Sequence, residues 1–365
     1  IRSTLLLLAF FSFSVNIVHA QYDDIVNFLR GGVKDAETLF EAYLTPYANA
    51  FGSNLSGGWY NTAKVHKKFG FDINFSVSMS FVPDADKEFD FNELQGINKL
   101  RLSDENNYKI PTAASKENGV SLDWYENVPG IGEEKITSFK TRDGTKIGFL
   151  PAPMIQGGIG LLYGTDLNIR YMPTVTVAGD GEVGLWGLGL KHSLKQWIPV
   201  IKRIPFLHLS LQAGYTKLNS SGQLTFLPDD LHQNAQLPDG IEMSVFDNQS
   251  IDFTMSSITA NALVSANLPV VSFYGGIGFI SSSSELQLNG TFPVGLNVEK
   301  YESGEVEVVT EENPITMSFG SKAADGFLPR LNAGIRFKLG VVTIHGDYTY
   351  SDYSMVTAGL GVTFR

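Results

Sequence analysis

His345 and Asp347 stand two apart in the run Val342-Thr343-Ile344-His345-Gly346-Asp347-Tyr348, and on an extended chain both side chains turn to one face. A histidine beside a carboxylate is half of a hydrolytic triad, and a serine nearby would complete the kind of site found in barrel-embedded lipid hydrolases. Such a triad is assembled in space, and no Gly-x-Ser-x-Gly elbow accompanies the pair, so no enzyme is expected. Asp84-Ala85-Asp86-Lys87-Glu88-Phe89-Asp90 loosely follows a calcium loop. It lacks the glycine at the sixth position and the acid at the twelfth, and reads as a solvated acidic loop. Gly157-Gly158-Ile159-Gly160 and Gly187-Leu188-Gly189 lie within extended runs and not before helices, the wrong context for phosphate binding. Glycine there permits a bend or a close approach. No cofactor or metal is expected, and with no cysteine there is no disulfide or thiolate site.

One further set could do chemistry together. Asp72, Asn74, Arg170, His208, Gln212, His345 and Asp347 each oppose an apolar face, and side by side they would line a wet lumen that binds or conducts a solute. For any single member, pairing across that lumen is the plainer reading.

The elements that must position this set are strands. Phe71, Ile73, Phe75, Val77, Met79 and Phe81 alternate with Asp72, Asn74, Ser76, Ser78 and Ser80, a length that crosses a bilayer when tilted. Period-two runs recur at 155–163, 167–177, 207–215, 331–339, 342–350 and 356–364, and less cleanly near 183–192, 252–266 and 270–280. They imply a transmembrane antiparallel β-barrel of about 10, 12 or 14 strands, because bacterial barrels carry even counts. Connections at 164–166, 267–269 and 339–340 are tight, while 82–153, 218–250 and 281–329 are long and acidic. Short turns belong to the periplasmic side and long loops to the outside, which predicts both chain ends in the periplasm. A soluble β-sandwich shows the same alternation with its apolar face inward. Strand length and the polarity of the opposite face favour the barrel.

Residues 1–20 read as a secretory signal, with Arg2, an apolar run Leu5–Phe13 and a small-residue site at Val18-His19-Ala20, so the mature chain is expected to start at Gln21. Residues 22–44 have helical spacing in two pieces, broken at Gly31-Gly32 and closed by Pro46, and 47–58 are small and polar. The expected organisation is a signal over 1–20, a helical hatch over 21–69 packed at the periplasmic mouth or inside, and a barrel over 70–365. The net charge of −11 argues against nucleic acid, which needs a basic face.

Gly57-Gly58-Trp59-Tyr60-Asn61-Thr62-Ala63, His66-Lys67-Lys68-Phe69-Gly70-Phe71-Asp72, Gly187-Leu188-Gly189-Leu190-Lys191-His192, Gln196-Trp197-Ile198-Pro199 and Gln212-Ala213-Gly214-Tyr215-Thr216 resemble an uncharacterised family of bacterial outer-membrane barrels. The layout is more distantly similar to FadL-type long-chain fatty-acid channels, fourteen-stranded barrels with an N-terminal hatch. That resemblance implies transport of a hydrophobic solute through a membrane barrel and assigns no ligand residues. In such barrels the chain ends on an aromatic, whereas Arg365 follows Phe364 here. Two function classes follow: a channel for a small hydrophobic or amphipathic solute gated by the hatch, or a structural barrel of a surface or secretion assembly that uses its acidic loops. Outer-membrane lipid is the expected partner in both.

Overall fold

Alternation over Phe71–Phe81 produces the first strand, β1. Its Asp72, Asn74, Ser76, Ser78 and Ser80 are buried on one face, and Phe71, Ile73 and Phe81 are exposed on the other. The computed structural model describes residues 33–128, 130, 132–177, 181–231, 235–297, 307–320 and 326–364. Residues 1–32, which include the signal expected over 1–20, and Arg365 lie outside the described residues. Nine more strands follow: β2 (Phe149–Gly160), β3 (Thr165–Val177), β4 (Gly181–Ser193), β5 (Leu207–Gln223), β6 (Ser250–Asn267), β7 (Val271–Asn289), β8 (Leu328–Leu339), β9 (Val342–Tyr350) and β10 (Met355–Phe364). Each pairs antiparallel with its chain neighbour, and β1 pairs with β10 from Phe71 opposite Phe364 to Ser80 opposite Met355. The sheet is therefore a closed barrel of ten strands, not the fourteen of a FadL-like layout. Leu286-Gln287-Leu288 is the far end of β7, and Val308–Glu312 pairs with Thr291–Leu296 inside a loop.

The barrel is inside-out relative to a water-soluble protein. Ile155, Leu188, Leu190, Leu211, Ile277, Leu331 and Leu360 are exposed on the outer wall, whereas Gln156, Asn168, Arg170, Gln212, Asn261 and Asn332 are buried inside. An apolar exterior around a polar lumen, with every edge paired, is the form a sheet takes when its solvent is lipid. Trp186 and Tyr215, with ring centroids 5.4 Å apart, edge the apolar band on one side. Among the described residues no helix is long and apolar enough to cross a bilayer.

The two ends differ. At one, the connections 161–164, 268–270 and 340–341 are tight and 194–206 is longer. At the other, 82–148 carries a three-stranded sheet (Leu100–Leu102, Ser121–Val128, Gly132–Lys140), and β5, β6 and β7 run on to 17, 18 and 19 residues. These are the short-turn and long-loop ends below.

The N-terminal helix departs from expectation in length. Helix α1 spans Val33–Ser56 and continues through Pro46. Proline removes one N–H from the ladder, but the small residues after it keep the helix slim enough for the barrel. A Cβ on Gly52 would meet the Ser282 hydroxyl at 2.4 Å. The helix lies in the long-loop half, packed on the loop sheet and on the inner wall. Its Asp35 accepts from the backbone N–H of Asn98, Lys99 and Leu100, and Tyr43 accepts at its carbonyl from Ala113 N. Leu39, Phe40, Tyr43 and Leu55 form one apolar core with Leu100, Leu122 and Trp124 of the loop sheet and with Leu150, Met154, Leu185 and Met255 of the inner wall. The helix is thus not a unit separate from the loops. The chain then runs through the lumen over 57–69 without helix or strand and reaches the short-turn end at Phe69, whose N–H bonds to Gly160 O at 2.8 Å. About 13 residues at up to ~3.3 Å each suffice for that traverse. Phe364 ends at the short-turn end, and the N-terminal end of the chain lies outside the described residues.

Candidate functional site

The site is the lumen and the chain that fills it. Helix α1 leaves its last carbonyls without intrahelical partners and concentrates partial negative charge there. Two buried arginines from opposite walls meet that end. From β3, Arg170 donates through Nη1 to Leu55 O at 2.8 Å, through Nη2 to Gly57 O, and through Nε to Gln156 Oε1 at 3.1 Å. From β8, Arg330 donates to Ser56 O at 3.1 Å and to Thr349 Oγ1 at 3.2 Å. Thr216 donates to Leu55 O, and Ser257 to Gly52 O one turn earlier. Charge-assisted bonds to several carbonyls hold the helix end more firmly than neutral ones would.

Below, Gly58 takes a positive φ of 67°, turning the chain out of the helix where a side chain would strain. Trp59 follows, buried flat against the wall. A Cβ on Gly189 or Gly214 would sit 2.6 or 2.5 Å from its ring, and the Arg170 guanidinium lies 3.7 Å from the ring centroid. Gly189 and Gly214 thus make room for an indole. Gln156 donates to Trp59 O, Asn61 to Asn74 Oδ1, and Ala63 N to Ser265 Oγ at 3.0 Å. Near the short-turn end, Asp166 accepts from His66 N at 2.9 Å and faces His66 Nδ1 at 3.0 Å and Lys191 Nζ at 3.2 Å.

The seven residues expected to line the lumen lie on inward-facing positions. Asp72, Asn74, Arg170, Gln212 and His345 are buried, Asp347 is half-buried, and His208 is half-buried at the short-turn rim. They do not form one site. Arg170, Asn74 and Asp72 touch the plug or its neighbours, since Asn74 donates to Asp72. Gln212 bonds across to Asn261, and Asp347 accepts from Tyr274 and Asn332 on the wall. His345 faces Arg336 across the β8–β9 ladder. Asp84 of the acidic loop pairs with Lys87, and among the described residues no group of ligands of metal-binding size occurs.

Sequence reading missed Arg330, Lys191, Asp166 and His66. Arg330 and Lys191 each stand next to an apolar outward residue, Leu331 and Leu190, so continued parity would have placed them inward. Asp166, expected in the tight connection 164–166, lies inside β3.

The upper seal is tyrosine-rich. Tyr47 donates to Ile147 O at 2.8 Å and pairs with Thr145, and burial pushes its hydroxyl up to about 12. Burial also raises Tyr43 and Tyr353. A phenol whose folded-state value is raised contributes stability in full below its unfolded value near 10, and that stability is lost as pH climbs through the folded value. The cap is therefore expected to hold to about pH 10 and to loosen between about 10 and 12. Tyrosinate absorbance and protease access at the 82–148 loop should change together there. Loosening that begins below pH 9 would refute this assignment.

The model of DUF6588, described as a family of unknown function, matches residues 1–364. The chain belongs to this family. No curated protein matches this DUF6588 member. Among solved structures it is similar to Ail of Yersinia pestis, at 10% identity and a TM-score of 0.26, over 82% of this chain and 99% of that one. It is also similar to the translocator domain of autotransporter NalP from Neisseria meningitidis, at 8% and 0.28, over 82% and 90%. A third is the toluene transporter TbuX of Ralstonia pickettii, at 8% and 0.22, over 88% and 93%. Likenesses this low bear no weight on what the DUF6588 member carries.

Proposed function

We propose that this protein is a channel of the bacterial outer membrane for a small hydrophobic or amphipathic solute, held shut by residues 57–69 and by helix α1 above them. The observation that carries the reading is the chemistry of the seal. A single chain fills the lower lumen, and its backbone is held there by lumen side chains: Gly57 O accepts from Arg170, Trp59 O accepts from Gln156, and Ala63 N donates to Ser265 Oγ. Water can replace the neutral bonds among these at small net cost, unlike a dry apolar plug. The upper wall, with Leu150, Met154, Leu185 and Met255, supplies apolar surface for the solute once the helix shifts.

A second reading, an interaction barrel that displays its loops, draws on the apolar core shared by helix and loop sheet, which favours a fixed cap. The test uses the absence of cysteine. Thr62 Oγ1 and Ser265 Oγ lie 3.2 Å apart, so the pair Thr62→Cys and Ser265→Cys can lock plug to wall. In planar bilayers the oxidised protein is expected to be silent and the reduced protein to show openings. Equal conductance in both states would remove the gate and leave the interaction reading.

A further inference from the structure

The short-turn end carries a charge asymmetry that the plug does not use. The chain as a whole has net charge −11. Yet the segments that build this end, 64–70, 161–164, 194–206, 268–270 and 340–341, contain no Asp or Glu. They hold Lys64, Lys67, Lys68, Lys195, Lys202 and Arg203. The nearby carboxylates Asp72 and Asp166 face the lumen and are engaged there by Asn74, His66 and Lys191.

The connection 194–206 is thirteen residues long, against two to four in the other turns at this end. It is also folded. Trp197 N bonds to Leu194 O, Pro199–Lys202 forms a helical turn, and Lys195 Nζ ties the carbonyls of Ile204 and Leu207 at 2.6 and 2.7 Å. This element holds large apolar groups outward, with Trp197 68% and Val200 69% exposed, directly beside the exposed Lys202 and Arg203. Tyr163, 82% exposed, and Phe69 with Lys67 and Lys68 continue the same mixture around the rim. Aromatic and aliphatic groups interleaved with cations suit the boundary between acyl chains and headgroups and not open water. The positive sign selects an anionic leaflet.

We infer that this collar binds the headgroups of anionic phospholipids in the leaflet facing the short-turn end, with Trp197 and Val200 in the acyl boundary and the cations on lipid phosphate. The inference rests on the reading of the barrel as membrane-spanning. Full-length protein in nanodiscs of phosphatidylethanolamine with a minority of phosphatidylglycerol, transferred to native mass spectrometry, reports which lipid stays bound. The wild type is expected to retain phosphatidylglycerol over phosphatidylethanolamine by about tenfold or more. The variant Lys67→Gln, Lys68→Gln, Lys202→Gln, Arg203→Gln should lose that preference while keeping heat-modifiable gel mobility. If four changes impair folding, the exposed pair Lys202→Gln, Arg203→Gln alone should lower it severalfold. Brominated phosphatidylglycerol should quench a tryptophan signal that disappears in Trp197→Phe. A wild type without lipid preference, or a folded variant that keeps it, overturns the inference. A chain that fails to insert into any bilayer refutes the membrane-spanning reading instead.

Discussion

Replacing Arg170 by alanine is expected to loosen the plug more than any other single side-chain deletion in the lumen. The change leaves Leu55 O and Gly57 O at a helix end without their charged donor and removes the cation stacked on Trp59. Hydrogen bonds to a charged group are worth about 1.5–3 kcal/mol each, so a loss of about 3 kcal/mol against urea is expected, even with water entering the space. Conductance in planar bilayers should rise in parallel. Arg170→Lys keeps the charge but not the planar fork, and should recover part of both effects. Wild-type stability and a silent bilayer for Arg170→Ala would refute the assignment of this residue as the anchor.

The second large effect is expected outside the barrel. Leu190 is 52% exposed on the outer face of β4, between the aromatic edge at Trp186 and the rim at Trp197. Leu190→Arg places a charge in lipid and should cost about 2–4 kcal/mol near the midplane. Asn219, exposed on β5 beyond Tyr215, is the control, since an arginine there should cost about 0–1 kcal/mol. Equal costs in a bilayer-refolding titration would mean that the apolar band does not face lipid.

Where the lumen is polar, the strands were legible. Over Phe71–Phe81 the alternation of phenylalanine with serine and asparagine states both faces at once. The runs near 183–192 and 252–266 alternate poorly for a physical reason. Val183, Leu185, Ile251 and Met255 point inward at the apolar helix while Glu182, Asp252 and Thr254 take the outward positions, so the polar and apolar faces are exchanged there relative to the rest of the strand. The same packing hid the far ends of β5 and β7, which leave the bilayer and no longer obey its pattern. Helix α1 was legible as a helix but not in extent, because a proline and small residues, which end a free helix, are here conditions for fitting a narrow barrel. Its position was not legible at all. Helical spacing says that one side is apolar and says nothing of which end of a barrel will cover it. Arg170 was found from strand parity, whereas its acceptors, backbone carbonyls of residues over a hundred positions earlier, have no sequence signature.

That separation shapes how the molecule can be made. Asn54 bonds to Ser80 and Leu150, Ala63 to Ser265, and Ser56 to Arg330, so the partners of one short segment are strewn over most of the polypeptide. Bonds of that span form only after large loops have closed, which makes acquisition of the native state slow. The seam between β1 and β10 joins the first strand to the last, and a ring sealed there admits no thread afterwards. Assembly is therefore a wrapping reaction around a guest supplied by the same polypeptide. A circular permutant that moved residues 33–70 behind Phe364 would face a finished ring with its guest still outside.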